Sequence, residues 1–482
     1  MRVATVTGCI FLFAAGCSDP DPDVSGGSSS GDGTTAGTTQ TAPDPSTTST
    51  STGISDESSS GENPGSTGDP EPASSSGAAE STGGEEATFA AGFDIVDISP
   101  NKGHLALNVY MGAYGAPFAR GPAEGVHDPV FVRSFAVGVG EEGFVAGVAD
   151  LPGFGNDFTA EIRARVAENT GLPPEHVLIG ATHTHSAPDF MGLWGGGPSE
   201  YRDPVIDEVV GSLTRAWVLR TPATLEVSSA TGPNGNRRDW EFTDDSITLL
   251  MARDLDGELM GSVGVFAAHP TVLGSSNLLI SRDWCGGYVE AMEAHTGATS
   301  VLFNGVLGDA SAARPPGKYA DDFERAFAYG ALIADLAYEA SASADPISTG
   351  LVVESTTWTM PVQNALFQLA AAVGLLDYSF SGSGEGQSVD ATATYVRLGE
   401  QLQIASFPGE PLTRTGLEVK SVMSTPHQAI LGNTGPAFGY FILSDEWMTG
   451  RNDDYEETVS LHESAGDLAV GALMDLVELD AF

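Results

Sequence analysis

The stretch "GATHTHSAPD" (Gly180 to Asp189) places two histidines two residues apart, directly after the apolar run "VLI". The chain has only 9 histidines in 482 residues, so a pair in three positions is a candidate for metal or proton chemistry. On a strand, residues i and i+2 project to the same face, so His183 and His185 are expected to point into one site. Four further polar clusters follow strand-like runs. "SVGVFAAHP" ends in His269, "TSVLFNGVLGDAS" leads to Asp309 and Ser311, "LQIASFPGEP" ends in Glu410, and "QAILGNTGPAFGY" leads to Asn433 and Tyr440. A catalytic zinc takes about three protein ligands and leaves one position open for water or substrate. His183, His269 and Glu410 form a two-histidine, one-carboxylate set of that chemistry, although they lie far apart in the chain.

These residues need elements that hold them at one end of a sheet. Short apolar strands alternate with helical patterns, which predicts a mixed α/β domain with its site at the carboxyl ends of strands. "DFTAEIRARVAENTG" reads as an amphipathic helix stopped by Gly171; "ADDFERAFAYGALIADLAYEA" and "SAGDLAVGALMDLVEL" read as two more. The domain runs from 89 to 482. Residues 18–88 are Ser, Thr, Gly, Pro and acids with almost no large apolar side chain, so they cannot offset the entropy of ordering and are expected to form a disordered stalk. Residues 1–17 hold Arg2, the apolar run "CIFLFAAG" and then Cys17, the order of an export signal. Ala14-Ala15-Gly16-Cys17 resembles a bacterial lipobox, which would make Cys17 a lipidation site. The protein would then be exported and tethered to a membrane, with Ser18 favouring the outer membrane or cell surface. Cys285 is left without an intramolecular partner, so stability must come from a packed core rather than from disulfides.

The formal net charge is −45, of which −33 falls on residues 89–482. This excludes nucleic acid as a ligand, because phosphate binding needs clustered cations.

Taken together, the motifs resemble the neutral/alkaline, non-lysosomal ceramidase family in its own order. "MGAYG…GVHDPVFVRSFAVG" resembles the opening Met-Gly-Tyr region. "ATHTHSAPD" is similar to the Thr-His-Thr-His-Ser-Gly-Pro motif, and "FAAHPT" to the second histidine motif. "GNRRDW" resembles the Asn-Arg segment, "LGDASAA" the Gly-Asp-Val-Ser-Pro motif, and "FPGEPLT" the Pro-Gly-Glu motif. "GNTGPAFGYFILSDEW" is similar to the segment ending in a metal-binding tyrosine. The resemblance implies one Zn2+ held by His183, His269, Glu410 and Tyr440, with Ser311 as the catalytic serine. It also implies His185 beside the reacting centre and Arg237 lining it. In that setting a zinc ion would polarise an amide carbonyl and its water, and His185 would accept a proton and return it to the leaving amine. Tyr440 or Arg237 would stabilise the oxyanion. Ser311 would either attack directly or orient the carbonyl and water. Asp283 and Asp309 would orient ligands, or else cap helices and turns. The implied substrate is ceramide or a related N-acyl lipid. The open alternatives are another amide or ester, or a non-catalytic surface lipoprotein that keeps the fold.

The chain also departs from the family pattern. The resemblance implies an immunoglobulin-like domain after the catalytic one, and this sequence stops near where that domain would begin. Residues 360–390, including "NALFQLAAAVGLLDYSFSG", match poorly and read as core or a local helix, or else as the wall of an acyl pocket. His462 stands where the family has a tyrosine.

Overall fold

A computed structural model describes residues 88–115, 118–450 and 454–480. The export signal, Cys17 and all of the stalk except Thr88 lie outside these residues.

Strand β1 (Phe89–Asp97) pairs along its whole length with β2 (Phe131–Val139), which forms a hairpin with β3 (Glu142–Ala149). Helix α1 (Asn156–Thr170) crosses over to β4 (Val177–Ala181), which lies parallel to β3. The helix ends where expected. Gly171 takes φ +79° and its N–H closes on the Ala167 carbonyl, a conformation that favours glycine. Helix α2 (Ser199–Val218) then leads to β5 (Thr221–Thr231) and the short β6 (Asn234–Asn236). The antiparallel strands β7 (Ser246–Asp254) and β8 (Leu259–Phe266) follow. Helix α3 (Trp284–Thr296) crosses from β8 to its parallel neighbour β9 (Thr299–Asn304). The resulting sheet has the order β9-β8-β7-β5-β1-β2-β3-β4, with Asp345–Pro346 added against β5.

After β10 (Ala310–Ala312) and α4 (Asp322–Ser341), the chain builds a second sheet. It begins with β11 (Leu351–Pro361), passes through helix α5 (Ala365–Ala372) and continues with β12 (Ser388–Leu398) and β13 (Leu402–Ser406). The two-residue β14 (Glu410–Pro411) and helix α6 (Thr413–Val422) carry the chain to β15 (His427–Leu431), parallel to β13. The order of this sheet is β11-β12-β13-β15. The final elements are β16 (Tyr440–Phe441), α7 (Tyr455–Thr458) and α8 (Ala465–Leu479).

Alternation along the strands sorts these elements into layers. Phe135, Val137, Ala146, Val148 and Leu178 of the first sheet share a core with Val396, Leu402, Ile404 and Leu431 of the second, so the two sheets pack face to face. The intervening residues of the first sheet (Val132, Ala136, Val145, Ile179) turn the other way, onto Ile162 of α1 and Val205, Val209 and Leu213 of α2. Ile247, Leu249 and Leu302 likewise meet Trp284, Tyr288, Tyr329 and Ile333 of α3 and α4. The far face of the second sheet packs on α6 and α8. The order is therefore helices, sheet, sheet, helices. Each fully buried aliphatic or aromatic side chain contributes about 1.5–3 kcal/mol. These cores are drawn from Phe89 to Val477, so the body carries its own apolar core without disulfides.

The expected mixed α/β class is present. Three strand–helix–strand crossovers set the functional end: β3-α1-β4, β8-α3-β9 and β13-α6-β15. In each the strands run parallel, so their carboxyl ends share an edge. The loops after β4, β8, β9, β13 and β15 bear the five polar clusters.

Candidate active site

His183 and His185 follow β4 but do not lie on it. The strand ends at Ala181, and His183 has φ +66°, a strained conformation for a residue with a Cβ. The expected i, i+2 strand face is therefore replaced by a loop. It is pinned by His183 N–H to the Leu151 carbonyl (3.0 Å) and His185 N–H to the Pro270 carbonyl (3.2 Å). The loop still delivers both rings to one place, with centroids 4.8 Å apart. His269, after β8, joins them at 5.0 Å from His183 and 5.5 Å from His185. One ring nitrogen from each of the three buried histidines lies within 4.8 Å of the others. This is a group able to hold a metal ion.

Glu410 arrives from the second sheet. Its strand β14 pairs in parallel with β16, with Glu410 opposite Tyr440, and Gly439 makes the pairing possible. Gly439 has φ +78°, and a Cβ there would lie 1.9 Å from the Val459 carbonyl. The Glu410 Oε2 stands 3.3 Å from His183 Nε2 and 3.1 Å from His269 Nε2.

The protonation of this group follows from its neighbours. His183 Nδ1 is 2.5 Å from the Pro152 carbonyl, and His269 Nδ1 is 2.6 Å from the Leu307 carbonyl. A carbonyl can only accept, so each Nδ1 carries a hydrogen and each ring turns its Nε2 toward Glu410. Burial, followed by the positive charge of Arg237, pushes the pKa of His269 down to about 4. Burial alone would raise the carboxyl of Glu410, but His183 and His269 outweigh it and hold it well below its usual range. Two imidazole Nε2 atoms and a carboxylate oxygen thus converge inside the protein. His269 Nε2 and Glu410 Oε2 are buried without a hydrogen-bond partner. This is the donor set that a metal ion takes. The Nε2–Oε2 separations of 3.1 and 3.3 Å are short enough for the three atoms to share one metal ion.

His185 is different. Both of its ring nitrogens are buried without a hydrogen-bond partner. Burial and the neighbouring imidazoles hold its pKa well below the ordinary value. Tyr114 meets it edge-on at 4.8 Å, and Arg120 donates to its carbonyl and to that of Gly112. Arg120 is a supporting residue that the sequence reading did not single out.

Arg237 donates to the Gly308 carbonyl at 2.6 Å, to the Tyr440 hydroxyl at 3.3 Å and to Glu456 at 3.4 Å. The Tyr440 ring stacks beside His269 at 6.3 Å. Burial and the nearby Glu410 keep its hydroxyl protonated, with its pKa well above the usual value. Ser311 lies on β10, bridged in parallel to His269 and paired with Gly235 of β6. Its neighbour Asp309 accepts from the Thr413 amide (2.7 Å) and hydroxyl (2.6 Å) and from Asn236 (2.8 Å), fixing the start of α6 and the Arg237 loop. Asp283 caps α3 through the Trp284 amide at 2.7 Å, so its role is capping rather than orienting a ligand. Asn433 donates to the same Pro152 carbonyl as His183, at 2.9 Å.

The space in front of these groups is a cavity of about 30 Å³, room for a water molecule or two. Its apolar wall includes Ala113, Met191, Leu193, Trp194, Phe367 and Tyr455. Tyr455 also escaped the sequence reading. It comes from α7, with its ring 6.1 Å from that of Tyr440. His462, the expected substitute for a tyrosine, instead binds Ser464 just before α8. Residues 365–372 form a local helix, and Phe367 reaches the cavity from it.

No protein-family model matches the chain. The neutral ceramidases of Drosophila pseudoobscura pseudoobscura and Drosophila melanogaster are each 27% identical over 192 residues, 34% of this chain and 27% of the relative. That of Pseudomonas aeruginosa is 26% identical over 184 residues, 33% of this chain and 28% of the relative. The matches thus span little more than a quarter of those relatives' length. The crystal structure of neutral ceramidase from Pseudomonas aeruginosa aligns with a TM-score of 0.67, covering 82% of this chain and 75% of that one at 18% identity. A ceramidase complexed with C2 aligns at 0.65, covering 82% and 76% at 17% identity. The chain has the fold of these structures, and the matches support the resemblance to the neutral ceramidase family carried by its motifs.

Proposed function

We propose that the chain is a zinc-dependent amidohydrolase that cleaves ceramide or a related N-acyl lipid into a fatty acid and an amine base. The observation that carries this reading is the convergence of three buried imidazoles and one carboxylate on one small space. The likeness to neutral ceramidases supports the choice of substrate. His183, His269 and Glu410 would hold one Zn2+, with Tyr440 as the fourth candidate ligand. When bound, the ion supplies Lewis-acid polarisation and brings the pKa of water toward neutrality.

The protein groups do the rest. His185 is buried, neutral and free at both ring nitrogens, so it accepts a proton from the attacking water and returns it to the amine as the C–N bond breaks. The products are a carboxylate and a protonated amine. Arg237, or the protonated Tyr440 hydroxyl where it does not ligate the metal, donates a hydrogen bond to the oxygen on which negative charge develops. Ser311, on the strand beside His269, orients the carbonyl or serves as nucleophile. The apolar wall excludes bulk water, which strengthens each of these interactions. An exported, membrane-tethered location belongs to the same proposal. It rests on residues 1–17, and among the described residues no helix is long and apolar enough to cross a membrane.

A substrate panel tests the chemistry. Purified protein loaded with zinc should release fatty acid from ceramides or other N-acyl lipids, and Ser311→Ala and His185→Ala should lower kcat more than they raise KM. Cleavage of soluble amides or esters with ceramide untouched would move the reading to a different substrate. Absence of turnover on every acyl substrate would leave a binding protein.

A further inference from the structure

The cavity has room for a water or two, and the proposed substrate carries a long acyl chain, so the wall beside it bears on how that chain enters. Phe367 is buried in that wall. Its helix α5 is capped by Asn364, whose side chain accepts from the Leu366 and Phe367 amides and donates to the carbonyls of Thr458 and Ser460. The helix ends at Ala372, and Gly374 turns the chain at φ +73°. Its outer face is apolar and open to solvent. Leu366, Leu369 and Val373 are 36%, 48% and 55% exposed, and their i, i+3, i+7 spacing puts them on one stripe. Two backbone contacts tie the neighbouring chain to the residues that line the cavity. The turn after α5 donates Asp377 N–H to the Met191 carbonyl, and Phe118, 53% exposed, donates its N–H to the Trp194 carbonyl.

Charge singles out this patch. In a chain with 65 acids and 20 bases, residues 361–384 contain one charged side chain, Asp377, and Arg202 pairs with it at 3.1 Å. An uncharged apolar stripe at the mouth of a cavity, on an otherwise acidic protein, suits an electrically neutral apolar surface and is repelled by an anionic one.

We propose that α5 is a docking lid for the surface of zwitterionic lipid assemblies. Leu366, Leu369 and Val373 insert among the lipid chains while Phe367 swings out of the cavity. The docking stands on the exposed stripe, whereas its consequence for turnover rests on the amide-hydrolase reading above.

The test uses the chain from Ser18 onward, which keeps every described residue, and the variant Leu366→Gln/Leu369→Gln/Val373→Gln. Co-sedimentation with phosphatidylcholine vesicles should show the parent bound, with binding weakened when phosphatidylglycerol is mixed in. The variant should lose about tenfold or more in partition, since three exposed apolar side chains no longer enter lipid. Circular dichroism and the thermal midpoint should match the parent. Turnover of a vesicle-borne N-acyl amide should fall by a similar factor, while turnover of a short, monomeric N-acyl amide stays unchanged. Equal vesicle partition of variant and parent would overturn the proposal. So would a variant that changes only self-association in sedimentation velocity, since a second copy would then be the occupant. If neither protein cleaves any amide, partition alone still decides the docking.

Discussion

Arg238 is 1% exposed and bridges two buried carboxylates, donating to Glu456 at 3.1 Å and to Glu457 at 3.1 and 3.2 Å. It also donates to the Glu446 carbonyl and the Thr449 hydroxyl. Arg238→Met fills similar volume but removes the charge. Glu457 then keeps the Met448 amide, and Glu456 keeps Arg237 at 3.4 Å among its partners. Removing one member of a buried ion cluster costs about 3–5 kcal/mol, chiefly because the remaining charge stays desolvated. The loss should appear in urea unfolding as a lower midpoint at unchanged slope. Because Tyr455 and Glu456 sit on the same short helix, turnover should also fall while zinc content holds. Adding Glu456→Gln and Glu457→Gln to Arg238→Met should recover most of the stability, since the two desolvated carboxylates are then neutral and Arg237 keeps the Gly308 carbonyl and the Tyr440 hydroxyl. A cost below about 1 kcal/mol for Arg238→Met, or no recovery in the triple variant, would refute the reasoning.

Two further predictions concern supporting residues. Asn433→Ala removes the donor shared at the Pro152 carbonyl and puts alanine at φ +48°. It should weaken zinc binding by about 10–100-fold, measured by chelator competition, with unchanged affinity as the contrary result. Asp283 is buried and its pKa is raised to about 7, against roughly 4 for an unfolded chain. The folded state therefore binds the proton more tightly. This contribution to stability is full below the unfolded value and is lost as pH rises through 7, about 2–3 kcal/mol between pH 5 and 8. Asp283→Asn cannot ionise and keeps one acceptor oxygen for the α3 cap. It should be less stable than the parent at pH 5 and gain on it by that amount at pH 8; a pH-independent difference in unfolding free energy would contradict the assignment.

Much of the site was legible because its chemistry needs particular residue types next to apolar runs. His183, His185, His269 and Glu410 each follow a strand, and parallel crossovers bring strand ends together whatever their separation in the chain. The path of the backbone was not legible. Nothing in "ATHTHS" shows that the strand stops at Ala181 and that His183 turns into a left-handed conformation. Helix α2 was missed because Pro204 lies within it, and a proline inside a helical pattern reads as a break. Arg238, Glu456 and Glu457 were missed for a different reason. Nothing in "RRDW" or "DDYEET" marks which charged residues are buried, and only tertiary packing reveals that Arg238, Glu456 and Glu457 neutralise one another inside the protein. Tyr455 was hidden in the same acidic run. Arg120 acts on backbone carbonyls, which leave no mark on side-chain patterns.

The central claim is that His183, His269 and Glu410 form one metal-binding unit required for hydrolysis. The most direct test is metal content by mass spectrometry alongside amide turnover, for the parent and for His183→Ala, His269→Ala and Glu410→Gln. The parent should carry one zinc per chain and lose turnover on chelation, regaining it when zinc is restored. Each variant should lose both zinc and turnover while keeping its fold by circular dichroism. Full turnover in a variant that binds no metal would contradict the account.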